Sequence, residues 1–305
     1  MASTYCPPMQ RIQPSAILEV MHPVTWFAPM WAFTCGIVSS GHPVAPNLLV
    51  ILGGVLLAGP LVCGTSQVVN DWFDRHVDAI NEPDRPIPSG RIPGRWGLYL
   101  SFIMTGLSLA LAWVLGIWVL YAGLFGLALA WAYSMPPFRL KLNGWWGNGA
   151  VGLCYESLPW FTGAAIMTAG LPHWGIIALA VLYGIGAHGI MTLNDFKAIE
   201  GDTQLGVRTL PVQLGADGSA RVACWVMALP QVVVIGLLLS WGHPWHALAI
   251  VGLLVVQGLL MVWFLRDPVK NARGYSGIGV PFYVSGMMIS AFALRFDPMI
   301  ASALS

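Results

Sequence analysis

Charge is what this sequence lacks. Asp, Glu, Lys and Arg make up only 9% of its 305 residues, where a soluble globular protein carries about a quarter. Apolar types account for 57% and mean hydropathy is +0.71, which excludes an ordinary soluble domain. A basic stripe is also missing. The 14 Lys and Arg are interleaved with 13 Asp and Glu, so nucleic acid is not an expected partner. Cysteine is sparse and unpatterned: Cys6, Cys35, Cys63, Cys154 and Cys224 form no CxxC. That argues for small apolar packing residues over disulfides or a metal site. Residues 1–15 are polar and proline-rich without a hydrophobic leader core, so no cleavable signal peptide is expected.

What is there is a succession of long apolar runs. Nine spans are expected, near 16–40, 47–70, 95–115, 117–134, 148–169, 174–196, 219–240, 245–265 and 278–297, each close to the roughly 20 residues that cross a hydrocarbon core. The expected fold class is therefore all-α, a polytopic membrane protein. Its helices are expected to form one bundle, in a single domain over 1–305. Of the 14 cationic residues, 13 fall on one side of these spans: Arg11, the loop set Arg75, Arg85, Arg91 and Arg95, the pair Arg139 and Lys141, and those that follow up to Arg273. Arg295 alone falls opposite. By the positive-inside rule the N-terminus and the long polar loops 71–96 and 197–218 face the cytoplasm. The tight far-side connections leave the chemistry at that cytoplasmic end. Trp118, Trp174 and Trp245 read as interfacial belt residues, and Trp145-Trp146 as the lining of an entrance for a flat substrate.

Against so apolar a background, two acidic clusters stand out, at 70–78 and 194–202, each beginning Asn-Asp at the end of a span. An ionised Asp at a bilayer centre costs about 2.5–3.5 kcal/mol on insertion scales, less toward the interface. Such groups are expected there only if something cationic binds them. Asn70, Asp74 and Asp78 are spaced by four and share one helical face over two turns, near a C-terminus whose dipole also favours cations. Asp71 points elsewhere. Asp195 and Asp202 are seven apart, again one face if the helix continues, with Ala198 where a further carboxylate would complete it. The role of Glu200 is left open. The recurrence suggests a four-helix unit used twice, with a ninth helix added.

Hard oxygen donors without Cys or clustered His favour Mg²⁺. Because Mg²⁺ keeps waters and binds substrate phosphates instead of filling all-protein cages, the expected ligand is a diphosphate. At a membrane, that suggests a prenyl diphosphate. Asn70, Asn194, Arg75, Arg85, Arg139, Lys141, Lys197 and Arg208 are candidates for contacting it, although several also satisfy the positive-inside pattern alone. Glu19 and Glu156 lie within expected spans and are functional candidates by default; a structural, locally paired reading competes. His22, His173 and His188 are candidate axial ligands of a magnesium tetrapyrrole, with a structural role as the competing reading.

The segment NDWFDRHVDAINEPDRPIPSGRI at 70–92 resembles the first aspartate-rich motif of the UbiA-type intramembrane prenyltransferases. Its part DAINEP-x-RPIPSG (78–90) has the form found in chlorophyll and bacteriochlorophyll synthases. NDFKAIEGDTQLGVRTLPVQLG (194–215) and YSMPPFRLKLNGWWGN (133–148) are similar to the remaining cytoplasmic segments of that subfamily. His76-Val77 and the Ser89-Gly90-Arg91 continuation lean toward the bacteriochlorophyll branch. The resemblance implies nine helices enclosing a cavity in a bacterial inner, photosynthetic membrane. It also implies a first metal face of Asn70, Asp74 and Asp78, and a second from Asp195 and Asp202. Many relatives have a further Asp where this chain has Ala198.

The implied reaction is Mg²⁺-dependent esterification of the propionate of a chlorophyllide or bacteriochlorophyllide by geranylgeranyl or phytyl diphosphate. Asp74, Asp78, Asp195 and Asp202 are its catalytic carboxylates. The implied partners are that donor, the chlorin, the lipid bilayer and pigment-biosynthesis or assembly proteins. Transfer to a quinone precursor or to haem, a cation-coupled transporter and a pigment-binding assembly protein are the competing readings.

Overall fold

The computed structural model describes residues 13–297; Cys6 and Arg11 lie outside them. The helices, in chain order, are α1 (Pro14–Val20), α2 (Phe27–Ser39), α3 (Leu48–Leu56), α4 (Gly64–Asn81), α5 (Trp96–Leu115), α6 (Ile117–Ser134), α7 (Gly144–Gly152), α8 (Leu158–Thr168), α9 (Trp174–Asp195), α10 (Ile199–Leu205), α11 (Leu210–Ser240), α12 (Pro244–Phe264) and α13 (Pro268–Arg295). No named strand occurs among the described residues. Seven segments are long and apolar enough to cross a membrane, and the protein is an integral membrane protein.

Three of the nine expected spans are built differently from a simple apolar helix. In the first, α1 stops at Val20 and the chain turns through His22, at φ 45, before α2 begins at Phe27. Pro23 explains the interruption, because the residue before a proline is pushed out of the right-handed helical region. Only 13 residues of regular helix follow. In the fifth, α7 and α8 are joined by a π-helical turn, Leu153–Ser157. A second π turn, Leu57–Cys63, contains Pro60 and joins α3 to α4. The missing proline N–H and the ring clash account for that widening.

Packing is closest where side chains are smallest. A Cβ on Gly36 of α2 would sit 2.0 Å from the Trp160 carbonyl oxygen of α8, and one on Gly163 of α8 would sit 2.1 Å from the Phe33 carbonyl oxygen of α2. The two backbones can touch only because both positions lack a side chain, as small-residue contacts between membrane helices require. Polar groups in the interior are answered internally, since lipid offers no partners. The Tyr283 hydroxyl donates to the Tyr183 carbonyl at 2.7 Å, and the Tyr183 hydroxyl pairs with Ser290 Oγ at 2.9 Å. Gln231 and Gln257 exchange two amide hydrogen bonds of 3.1 Å. Trp160 Nε1 donates to Ser39 Oγ at 3.1 Å.

Replacing Gly163 with Val is therefore expected to cost about 1–3 kcal/mol through overpacking. Gly106→Ala, where an added Cβ meets nothing within 4 Å, is expected to leave stability unchanged or slightly raised. Thermal unfolding of the purified variants in detergent, followed by size exclusion, checks both.

Candidate active site

The helix carrying the first acidic cluster is long. The apolar segment Ala45–Asn81 has 37 residues, which at 1.5 Å per residue is about 55 Å, well beyond the roughly 30 Å of a hydrocarbon core. Its last turns, with Asn70, Asp74 and Asp78, therefore reach the membrane boundary or pass it. On the other side α9 runs 22 residues, Trp174–Asp195, about one span, so Asp195 sits at its end. Asn70 and Asn194 line the same cavity of about 500 Å³, with Tyr133, Tyr155, Gln67 and Met191 also in its walls. Tyr133 is within electrostatic reach of both Asp74 and Asp195. The two clusters thus border one chamber.

Every carboxylate of the first cluster meets a donor. Asp74 is paired with Lys141, and the Arg139 guanidinium stands 3.7 Å away. Burial pushes the Lys141 ammonium down and the contact with Asp74 opposes that shift. Arg85 reaches Asp71 and Asp78, both at 3.2 Å, and also pairs with Glu82. Asn70 Nδ2 donates to Ser134 Oγ at 3.0 Å. Arg75, expected among the diphosphate contacts, turns back instead. Its guanidinium lies 4.1 Å over the Trp72 ring and donates to the Trp72 carbonyl at 2.7 Å, a cation–π geometry that holds it on its own helix.

In the second cluster the expected single face does not form. The helix ends at Asp195, residues 196–198 turn, and α10 begins at Ile199. Asp202 accordingly sits on a separate short helix. The break falls at 196–198, ahead of Gly201, which is inside α10. Asn148 Nδ2 donates to Asp195 Oδ2 at 3.2 Å, and the Thr209 hydroxyl donates to Asp202 Oδ2 at 3.2 Å. Burial raises the Asp202 pKa and the Thr209 hydrogen bond partly offsets that.

Arg208 ties two loops together through its backbone: its N–H donates to the Leu142 carbonyl and its carbonyl accepts from Gly144 N–H, both at 2.9 Å. The Arg208, Lys197 and Asn194 side chains are exposed, and among the described residues Lys197 and Arg208 form no ion pair. Among those residues, no three His, Cys, Asp or Glu side chains are gathered into a ready-made metal cage.

Sequence reasoning did not single out Tyr133, Tyr155, Gln67, Ser134, Asn148 or Thr209. All six are neutral groups with no spacing signal of their own, although Tyr133, Ser134, Asn148 and Thr209 lie within the motifs quoted above. Tyr155 joins the two π turns: Gln67 Nε2 donates to its hydroxyl at 2.9 Å and the Cys63 thiol lies 3.5 Å from it. Of the glutamates expected in spans, Glu19 is exposed and forms a two-point ion pair with Arg91 at 2.5 and 2.7 Å; Glu156 is buried. Among the histidines, His22 is bonded to Asp71 at 3.0 Å, His173 accepts from Gly175 N–H at the start of α9, and His188 stacks beside Trp145. The four described cysteines are free thiols.

The UbiA prenyltransferase family model matches residues 26–284. The chain belongs to that family. It is 59% identical over 283 residues to the bacteriochlorophyll synthase 33 kDa chain of Cereibacter sphaeroides, covering 93% of this chain and 94% of that one. It is 38% identical to the chloroplastic chlorophyll synthase of Arabidopsis thaliana, covering 90% and 73% respectively. Two solved folds align closely. A digeranylgeranylglyceryl phosphate synthase gives a TM-score of 0.74 at 21% identity, covering 91% of this chain and 98% of its own. A UbiA homologue from Archaeoglobus fulgidus, bound to DMAPP and Mg²⁺, gives 0.68 at 19%, covering 92% and 99%. This UbiA-family chain therefore has the UbiA fold, with the acidic motifs bordering its cavity.

Asp71, off the expected metal face and 2% exposed, clamps both His22 and Arg85. The Asp71 hydrogen bond raises the His22 pKa above its usual 6.5, with burial opposing, and Arg85 and Glu82 also act on the ring. Stability from this contact is fully present below that usual value and is lost as pH rises through the raised one. The melting temperature of wild type minus that of His22→Gln should be largest at acidic pH and shrink as pH rises through the raised His22 pKa. A gap that does not change with pH contradicts the charged pairing.

Proposed function

We propose that this protein is a bacteriochlorophyll or chlorophyll synthase, esterifying the propionate of a magnesium chlorin with geranylgeranyl or phytyl diphosphate. The observation that carries the reading is that Asn70 and Asn194 line one apolar-walled chamber, in a chain similar over nearly its whole length to bacteriochlorophyll synthases. The orientation follows the cation pattern: acidic motifs and N-terminus at the cytoplasmic face of a bacterial inner, photosynthetic membrane.

The donor set fits Mg²⁺. Its oxygens are hard and divided between two sides of a chamber, which suits an ion that completes its shell with water and substrate phosphate. Asn70, Asp74 and Asp78 would hold it on one side, and Asp195 and Asp202 on the other. Bound there, Mg²⁺ supplies Lewis-acid stabilisation of diphosphate charge. The chain's own cations are already in place: Lys141 and Arg139 beside Asp74, and Arg85 between Asp71 and Asp78. They transfer their hydrogen bonds to diphosphate oxygens as charge develops. Asn194 lines the chamber on the other side, and the exposed Lys197 and Arg208 would be free to meet the diphosphate as it enters. Arg75, stacked on Trp72, supports the helix that presents the carboxylates.

The prenyl C1–oxygen bond breaks with diphosphate leaving, and a propionate oxygen forms the new bond to C1. That carboxylate is ionised near neutral pH, so the site needs no general base. A narrow apolar slot lined by Leu57, Val62, Val119 and Leu158 adjoins the chamber through Cys154 and Tyr155. The slot extends the chamber's apolar wall along which the isoprenoid tail would run, shielded from water that would otherwise yield the free alcohol.

Membranes containing the protein, given bacteriochlorophyllide and labelled geranylgeranyl diphosphate, should form a labelled chlorin ester that EDTA abolishes and added Mg²⁺ restores. Asp74→Ala should lower turnover by at least about a hundredfold, the scale for losing a group that stabilises transition-state charge. Lys141→Met should lose about tenfold or more. Ester formation unaffected by EDTA, or prenylation of a quinone precursor in preference to the chlorin, defeats the reading.

A further inference from the structure

Glu156 is an ionisable side chain that the chemistry above leaves unused. It sits in the π turn Leu153–Ser157, is 5% exposed, and its Oε2 has no hydrogen-bond partner. Among the described residues it makes no ion pair. A polar atom buried without a partner is costly to keep, and π turns recur at functional sites. The group is not sealed in packed protein: it lines a second cavity of about 410 Å³, between α2 and α13, otherwise walled by Phe27, Trp31, Ile190 and Val280. This cavity shares Phe27, Val151, Tyr155 and Met191 with the chamber that Asn70 and Asn194 border.

Depth along the helix narrows the occupant. Asn148, which holds Asp195, lies eight residues before Glu156 along the same helical run, or about 12 Å at the α-helical rise. A ligand in the shared space that reaches the carboxylate clusters with one end places its other end near Glu156. The walls there are aromatic and aliphatic, which suits a flat apolar ring, and Glu156 adds one hydrogen-bonding group at the far edge.

We propose that Glu156 is an acceptor-binding residue. On this view its protonated carboxyl donates a hydrogen bond to a carbonyl-bearing substituent on the ring edge away from the reacting propionate, and so favours chlorins that carry such a carbonyl over those with a hydrocarbon group there. The proposal rests on the synthase reading and adds the basis of acceptor choice.

The test compares wild type, Glu156→Gln and Glu156→Leu on two magnesium chlorins that differ only in an acetyl or a vinyl group at that edge, with geranylgeranyl diphosphate saturating. Wild type should show an acceptor KM about tenfold lower for the acetyl compound, the size of one well-made hydrogen bond. Glu156→Leu should erase that preference by raising the acetyl KM alone, with the donor KM unchanged. Glu156→Gln, which keeps a hydrogen-bonding head, should retain most of it. Equal KM values in wild type, or a loss in Glu156→Leu shared by both acceptors, overturns the proposal while leaving the synthase reading intact. Wild type that esterifies neither chlorin overturns that reading and this inference together.

Discussion

Carboxylates next to lipid are tolerated only when each meets a donor or a cation, and the long-loop end of this bundle is organised around that cost. Asp74 is met by Lys141 and Arg139, Asp71 by His22 and Arg85, and Asp78 by Arg85. Asp195 is met by Asn148, and Asp202 by Thr209. These partners come from four separate stretches of chain, so satisfying the acids also gathers the loops. The Arg208 backbone pairing with residues 142–144 draws the second acidic loop onto the Lys141 loop. The same electrostatic requirement therefore shapes the loops and gathers Lys141, Arg139 and Arg85 at the acidic motifs.

Beneath that polar end the walls turn apolar. Membrane helices gain little from hydrophobic burial against one another, so the interior is held by close backbone contact, as at Gly36 and Gly163, and by reciprocal hydrogen bonds such as Gln231–Gln257. The two π turns widen the helices that carry Cys63 and Tyr155, and these side chains approach each other across the bundle. Rigid crossings around widened helices leave connected apolar spaces in which prenyl and ring substrates would fit side by side.

Much of this was legible in the sequence. The low charge and the apolar runs gave the membrane class. The four-residue spacing of Asn70, Asp74 and Asp78 held because α4 continues unbroken to Asn81. The same reasoning failed at Asp195 and Asp202, where it assumed continuity; the chain turns at 196–198, and neither residue type nor periodicity marks the break strongly. The interruption at Pro23 carried a local signal that the apolar background masked. Side-chain direction was beyond reach: nothing in the order of residues says that Arg75 folds back on Trp72 while Arg85, from a loop, returns to Asp71 and Asp78. Neutral participants such as Tyr155 and Gln67 become visible only when the helices are assembled.

The central claim is that both acidic motifs act on one metal–diphosphate complex. Electron paramagnetic resonance of Mn²⁺ titrated into the purified protein, with and without a non-hydrolysable geranylgeranyl diphosphate analogue, tests this most directly. The account predicts that the analogue strongly tightens Mn²⁺ binding, and that Asp74→Ala or Asp195→Ala alone removes most of this mutual dependence. Analogue-dependent binding that survives undiminished in the double variant would contradict it.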